Sequence, residues 1–137
     1  MENRPIILIV DDTPENFQVL GDILENEGYD LRIATSGPQA LATAQSFPPD
    51  LILLDILMPG MDGYEVCQQL KANPDLRIIP VIFISALGLA EQKIQAFREG
   101  AVDYITKPFQ TDEVVARVRT HIELSRLEEL KRQIAER

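Results

Sequence analysis

Five side chains suited to metal or phosphoryl chemistry sit where apolar runs of this chain end. Asp11 and Asp12 follow Ile6–Val10, Asp55 follows Leu51–Leu54, Ser85 closes Val81–Ser85, and Lys107 comes just after Asp103–Ile105. Carboxylates held about 4 Å apart repel by roughly 4 kcal/mol per pair at an effective dielectric near 20. A hard divalent cation with oxygen ligands relieves that repulsion while all three stay ionised. Mg²⁺ fits, because it takes one or two carboxylates, a backbone carbonyl and several waters. If one carboxylate is a nucleophile towards a phosphoryl donor, the product is an aspartyl phosphate. The cation would neutralise the attacking group, Lys107 would bind one phosphoryl oxygen and Ser85 would donate to another, since phosphoryl transfer needs positioning and charge neutralisation. Asp55 is the strongest nucleophile candidate. It interrupts Leu-Ile-Leu-Leu-Asp-Ile-Leu-Met, where a buried charge demands strong compensation.

Those residues converge only if the apolar runs lie side by side. Short branched-aliphatic runs alternate with helix-length amphipathic stretches, the pattern of a parallel sheet covered by helices. Strands are expected at Ile6–Val10, Asp30–Ala34, Leu51–Leu54, Val81–Ser85 and Asp103–Ile105. Thr13 is expected to cap the first helix, with Pro14 in its first turn and Phe17, Leu20, Ile23 and Leu24 on one face. That helix should stop near Gly28, a residue suited to a left-handed cap. Later helices are expected from Gly37-Pro38 with Ala40, Leu41 and Ala44 inward, with Val66 and Leu70 on one face, and around Glu91–Glu99. Thr111 is expected to cap the last one, with Asp112 and Glu113 in its first turn. Five β–α units with right-handed crossovers imply a doubly wound α/β sheet with helices on both faces. In such sheets the functional crevice lies beyond the carboxyl ends of the strands, where the five residues fall.

Composition narrows the function further. The chain has 137 residues, enough for one domain with a sizeable core. Its net charge of −9 disfavours direct binding to nucleic acid. Residues 1–112 hold 17 acids and 7 bases, whereas residues 113–137 hold 5 acids and 6 bases, so the acidity belongs to the body. No apolar run is long enough for a membrane span, and the N-terminus does not read as a secretory signal. The single cysteine, Cys67, reads as a small core residue and fits a cytoplasmic location. The turn after the first strand, Asp-Asp-Thr-Pro-Glu, is not a glycine-rich phosphate loop, which argues against a dinucleotide or nucleoside triphosphate.

Four segments carry a specific resemblance. They are Ile-Leu-Ile-Val-Asp-Asp, Leu-Ile-Leu-Leu-Asp-Ile-Leu-Met-Pro-Gly-Met-Asp-Gly, Val-Ile-Phe-Ile-Ser-Ala and Gly-Ala-Val-Asp-Tyr-Ile-Thr-Lys-Pro-Phe. In this order and spacing, residues 5–125 resemble the receiver domain of bacterial response regulators. The resemblance implies a flavodoxin-like fold with strand order 2-1-3-4-5. It implies that Asp55 takes a phosphoryl group from the phosphohistidine of a histidine kinase or phosphotransfer protein. It also implies that Asp12, Asp55 and the Leu57 carbonyl ligate Mg²⁺ directly, while Asp11 acts through water. Ser85 and Tyr104 would form the switch, and Lys107 would precede a cis bond to Pro108, which proline makes accessible.

Certain positions depart from a simple reading. Leu57 and Leu87 cannot orient an attacking water, which predicts slow loss of the phosphoryl group. Residues 111–137 hold no proline or glycine. Beyond Val114, Val115, Val118 and Ile122 they continue with Leu124, Leu127, Leu130 and Ile134. This divides the chain into a receiver over 1–125 and a helical extension over 126–137, which is a solvated end, a homodimer contact or a linker to an output or kinase domain. His121 is the sole histidine. Its context, Thr-His-Ile-Glu-Leu, lacks the adjacent acid of a phosphorylatable histidine box. A haloacid-dehalogenase-like phosphatase would want an acid at position 57, where leucine stands.

Overall fold

The computed structural model describes residues 4–86 and 88–136. Five strands form one parallel sheet: β1 (Ile6–Val10), β2 (Asp30–Ala34), β3 (Leu51–Asp55), β4 (Val81–Ser85) and β5 (Asp103–Thr106). Their order is β2-β1-β3-β4-β5, the doubly wound, flavodoxin-like arrangement. Every residue of β3 and β4 is buried, as expected of near-continuous apolar runs in a sheet covered on both sides. β2 is an edge strand, and its Asp30 and Arg32 match that exposure.

Strand alternation sorts the core into two layers. Leu8, Val10, Ile52, Leu54 and Phe83 pack with α2 (Gly37–Ser46), α3 (Gly63–Ala72) and α4 (Ala90–Arg98). Ile7, Ile9, Leu51, Leu53, Ile82 and Ile84 pack with α1 (Pro14–Asn26) and α5 (Thr111–Ala135). The α1 helix ends before Gly28, whose φ of 89° is left-handed. Within α5, Val114, Val118 and Ile122 are buried, while Val115 is only half-buried. The continuation of that helix leaves the body, with Leu124, Leu127, Leu130 and Ile134 exposed by 49%, 48%, 52% and 57%. Among the described residues no helix is long and apolar enough to cross a membrane.

Helix starts differ from the sequence expectation in an instructive way. Thr13 is the N-cap of α1, but its side chain makes no capping bond; its amide donates instead to Asp11 Oδ1 at 2.9 Å. Thr111 is already helical, and Gln110 precedes α5 without a side-chain cap. The side-chain caps lie elsewhere. Ser36 accepts from the Gln39 amide, and Asp62 forms a reciprocal capping box with Glu65.

The Asp62 box sets α3 directly beneath the end of β3. The Gly63 amide donates to the Ile56 carbonyl at 2.9 Å. A Cβ at Gly63 would collide with the Asp55 carbonyl oxygen and lie 2.8 Å from Ile56 Cα. Backbone on that side cannot yield as a flexible side chain would. Gly63→Ala is therefore expected to cost roughly 1–3 kcal/mol of stability, read as a lower urea midpoint at unchanged slope.

Candidate functional site

The carboxyl ends of β1, β3 and β5 deliver their charges to one place. Asp11, Asp12 and Asp55 each offer a carboxylate oxygen, and these oxygens lie within 4.8 Å of one another. Asp11 and Asp55 are buried and Asp12 is exposed, so the cluster opens to solvent on the Asp12 side. Lys107 Nζ lies 3.4 Å from Asp11 Oδ2 and 3.4 Å from Asp55 Oδ1. One ammonium thus reaches two of the three carboxylates.

Backbone contacts hold these side chains to the sheet. The Lys107 amide donates to the Ser85 carbonyl at 2.9 Å, and the Ile56 amide to the Ile84 carbonyl at 3.1 Å. Asp11 is oriented locally. Its Oδ1 accepts from the Thr13 amide at 2.9 Å and from Asn16 Nδ2 at 3.5 Å. Its Oδ2 is buried without a hydrogen bond, although Lys107 is within ion-pair distance. A buried carboxylate oxygen aimed at other carboxylates suits a hard cation, directly or through one of its waters.

Ser85, also buried, ends β4 one residue beyond Ile84, the register partner of Asp55. Tyr104 is buried in β5, three residues before Lys107. Leu57 follows the site with its side chain 56% exposed, and the Lys107–Pro108 bond is cis. Leu87 lies outside the described residues. The structure therefore brings Asp11, Asp12, Asp55 and Lys107 into one cluster, with Ser85 at the adjoining strand end.

Other contacts were not read from the sequence. His121 Nε2 lies 2.9 Å from Asp103 Oδ2, and Arg117 donates to Asp103 Oδ1 at 2.7 Å. Burial pushes the Asp103 carboxyl up, but hydrogen bonds from the Tyr104 amide, His121 and Arg117 together hold it below its usual range. His121 thus ties α5 to β5. Arg117 and His121 stand four residues apart, a same-face spacing that could have been noticed, but their partner is remote in sequence. Cys67 is buried with its thiol towards the Glu99 carbonyl at 3.3 Å, and burial raises its pKa to about 11, which leaves it unreactive.

Residues 7–119 match the family described as the response regulator receiver domain. The chain belongs to this family. As a receiver domain of two-component signalling it is similar to the DNA-binding dual master transcriptional regulator RpaA of Synechocystis, with 45% identity over 115 residues, 84% of this chain and 48% of RpaA. It is 46% identical over 114 residues to the response regulator PleD of Caulobacter vibrioides, covering 83% of this chain and 25% of PleD. The chain therefore spans about half or less of the length of these curated relatives. Among solved structures, the signal receiver domain of a histidine kinase from Syntrophus aciditrophicus superposes with a TM-score of 0.80 at 39% identity, covering 87% of this chain and 90% of that one. NtrX from Brucella abortus gives 0.85 at 32% identity, covering 98% of this chain and 29% of NtrX.

The crowding has a measurable cost in this receiver domain. Burial first, then the Asp11 charge, raises the Asp55 pKa from 3.8 to about 6, with Lys107 pulling the other way. A raised folded-state pKa means that ionising Asp55 destabilises the fold. The stability is fully present below the ordinary value of 3.8 and is lost as pH rises through about 6. Without divalent cation, Asp55→Asn is expected to be more stable than the parent at pH about 7.5 by roughly 1–3 kcal/mol. That gain should shrink as pH falls and vanish near pH about 3, below the ordinary value, where the parent carboxyl is largely protonated in both states. Thermal melts across this range check the sign.

Proposed function

We propose that Asp55 is the phosphoacceptor of this receiver domain, taking a phosphoryl group from the phosphohistidine of a histidine kinase or phosphotransfer protein. An Asp55 carboxylate oxygen attacks phosphorus, the P–N bond to the donor imidazole breaks, and its electron pair stays on the leaving nitrogen. What carries the reading is the cluster itself: three carboxylate oxygens within 4.8 Å, with Lys107 Nζ 3.4 Å from two of the carboxylates. Such a site binds a small, highly charged group and has little structural purpose otherwise.

Mg²⁺ is the cation the donor set fits, with Asp11, Asp12, Asp55 and the Leu57 carbonyl as its holders. When bound, it supplies charge neutralisation for the nucleophile and the transferred oxygens. Lys107 fixes one phosphoryl oxygen and Ser85 donates to another. Ser85 and Tyr104 then form the switch, because a phosphoryl group adds about −1.5 to −2 charges at neutral pH. This is self-catalysed transfer to the protein's own side chain, not turnover of a diffusible substrate.

Residues 1–125 are the receiver and 126–137 a helical extension that leads into an output or kinase domain. Support comes from NtrX, a longer chain that matches 98% of this one. A homodimer through the exposed leucines of α5 belongs to the same proposal, as do a cytoplasmic location and the absence of direct nucleic-acid contact by this domain.

Incubation with acetyl phosphate and Mg²⁺ should add one phosphoryl group, located on Asp55 by mass spectrometry. Asp55→Asn and an excess of chelator should each abolish it. No uptake by the folded parent would reduce the domain to an unphosphorylated docking module, and turnover of a generic phosphomonoester would favour a phosphatase. The lifetime is a separate expectation. Leu57 presents an apolar side chain beside the acceptor, so the phosphorylated parent should lose its label slowly. A Leu57→Asn, Leu87→Glu double variant should lose it roughly tenfold faster or more, because it can orient a water.

A further inference from the structure

Residues 56–62 join β3 to α3 and include Leu57, whose carbonyl is one of the proposed holders of the cation. Two ties fix the ends of this loop. The Ile56 amide donates to the Ile84 carbonyl at 3.1 Å, and the Ile56 carbonyl accepts from the Gly63 amide at 2.9 Å. Between them Leu57, Pro59 and Gly60 are exposed, and Gly60 takes a left-handed φ of 76°. Met58 and Met61 turn inward. Met58 is buried in the core layer shared with α2 and α3, and Met61 is partly buried against the same layer.

Met61 rests on one residue in particular. A Cβ at Gly37, the first residue of α2, would stand 2.9 Å from Met61 Cβ, Cγ and Sδ alike. Carbon atoms pack at about 3.5–4.0 Å. The far end of Met61 could swing aside, but its Cβ is fixed to the loop backbone, so a side chain at position 37 must push the loop itself. Gly37 is buried and its φ is not left-handed, so the close approach of Met61, not a turn, calls for glycine.

The floor beneath Met61 is also tied to the acidic cluster. The Asp11 amide donates to the Ala34 carbonyl at 3.1 Å, three residues before Gly37. Between those points the Thr35 amide donates to Gln39 Oε1 at 2.8 Å, and Ser36 Oγ accepts from the Gln39 amide at 3.3 Å. One corner of backbone, from Ala34 to Gly37, therefore meets both the Asp11 strand end and the loop that carries Leu57.

We propose that Gly37 and Met61 are positioning residues for the cation site: the bare Gly37 seats Met61, and this contact sets the Leu57 loop against the Asp11 strand end. The proposal rests on the reading of Asp11, Asp12, Asp55 and the Leu57 carbonyl as holders of Mg²⁺; the seat itself belongs to the metal-free protein. Mg²⁺ demands near-ideal octahedral geometry, so a ligand-bearing loop that shifts or loosens loses affinity.

Titration of the isotope-labelled full chain with MgCl₂, followed by amide NMR shifts, gives the dissociation constant of each variant. Met61→Ala unseats the loop and Gly37→Ala lifts it; each should weaken Mg²⁺ binding about tenfold. The double variant should bind no more weakly than Met61→Ala, because the two act through one contact. Alanine before Pro38 also strains the start of α2, but that cost falls on stability and persists in the double variant. Val118→Ala, in the layer on the other face of the sheet, should lose stability yet keep its Mg²⁺ affinity within about twofold of the parent. In metal-free protein the Gly63 amide should exchange about fivefold faster in Met61→Ala than in Val118→Ala. Affinities of Met61→Ala and Gly37→Ala equal to the parent's, or losses that add in the double variant, would overturn the positioning role. A parent that does not respond to MgCl₂ sinks the cation site, while the Gly63 exchange still decides whether Met61 seats the loop.

Discussion

Asp11, Asp12 and Asp55 crowd three carboxylate oxygens within 4.8 Å, against the single ammonium of Lys107. Asp11 and Asp55 are buried there, while Asp12 faces solvent. β3 is buried along its whole length, so Asp55 emerges from an apolar strand already desolvated. Thr13 and Asn16 aim Asp11, and the Lys107 amide is bonded to the end of β4. The raised pKa of Asp55 is the local sign of this crowding.

The sheet that builds the site also divides its consequences. Parallel strands with period-two side chains send odd and even residues to different helical layers. In β5 this sets Asp103 against α5 and Tyr104 against α4, one residue apart. A four-residue strand thus touches both layers as well as the site through Lys107.

The long α5 extends this body outward. Its first half is anchored by Val114, Val118 and Ile122, and its second half carries leucines into solvent. One helix runs without interruption across that change. It lies on the face of the sheet opposite α4.

Much of this was legible in the residues themselves. Apolar runs ending in Asp11-Asp12, Asp55, Ser85 and Lys107 fix the strands and put the chemistry at one edge, because burial on both faces imposes a pattern that polar strand ends must break. Helix starts were less legible. Thr13 and Thr111 carry capping chemistry, yet the Thr13 side chain makes no capping bond and Thr111 lies inside the helix, while Ser36 and Asp62 provide caps. Competition between nearby acceptors is settled by fractions of an ångström. The Asp103–Arg117–His121 clamp and the seat of Met61 on Gly37 were invisible for a different reason. Arg117 and His121 are one helical turn apart, but Asp103 lies 14 residues before Arg117, and Gly37 and Met61 come from different β–α units. Sequence alone determined the strands, the layers and the acidic edge, since hydrophobic burial is encoded locally. Only tertiary structure decided which polar groups meet between layers, because that depends on how helices remote in the chain lie on the finished sheet.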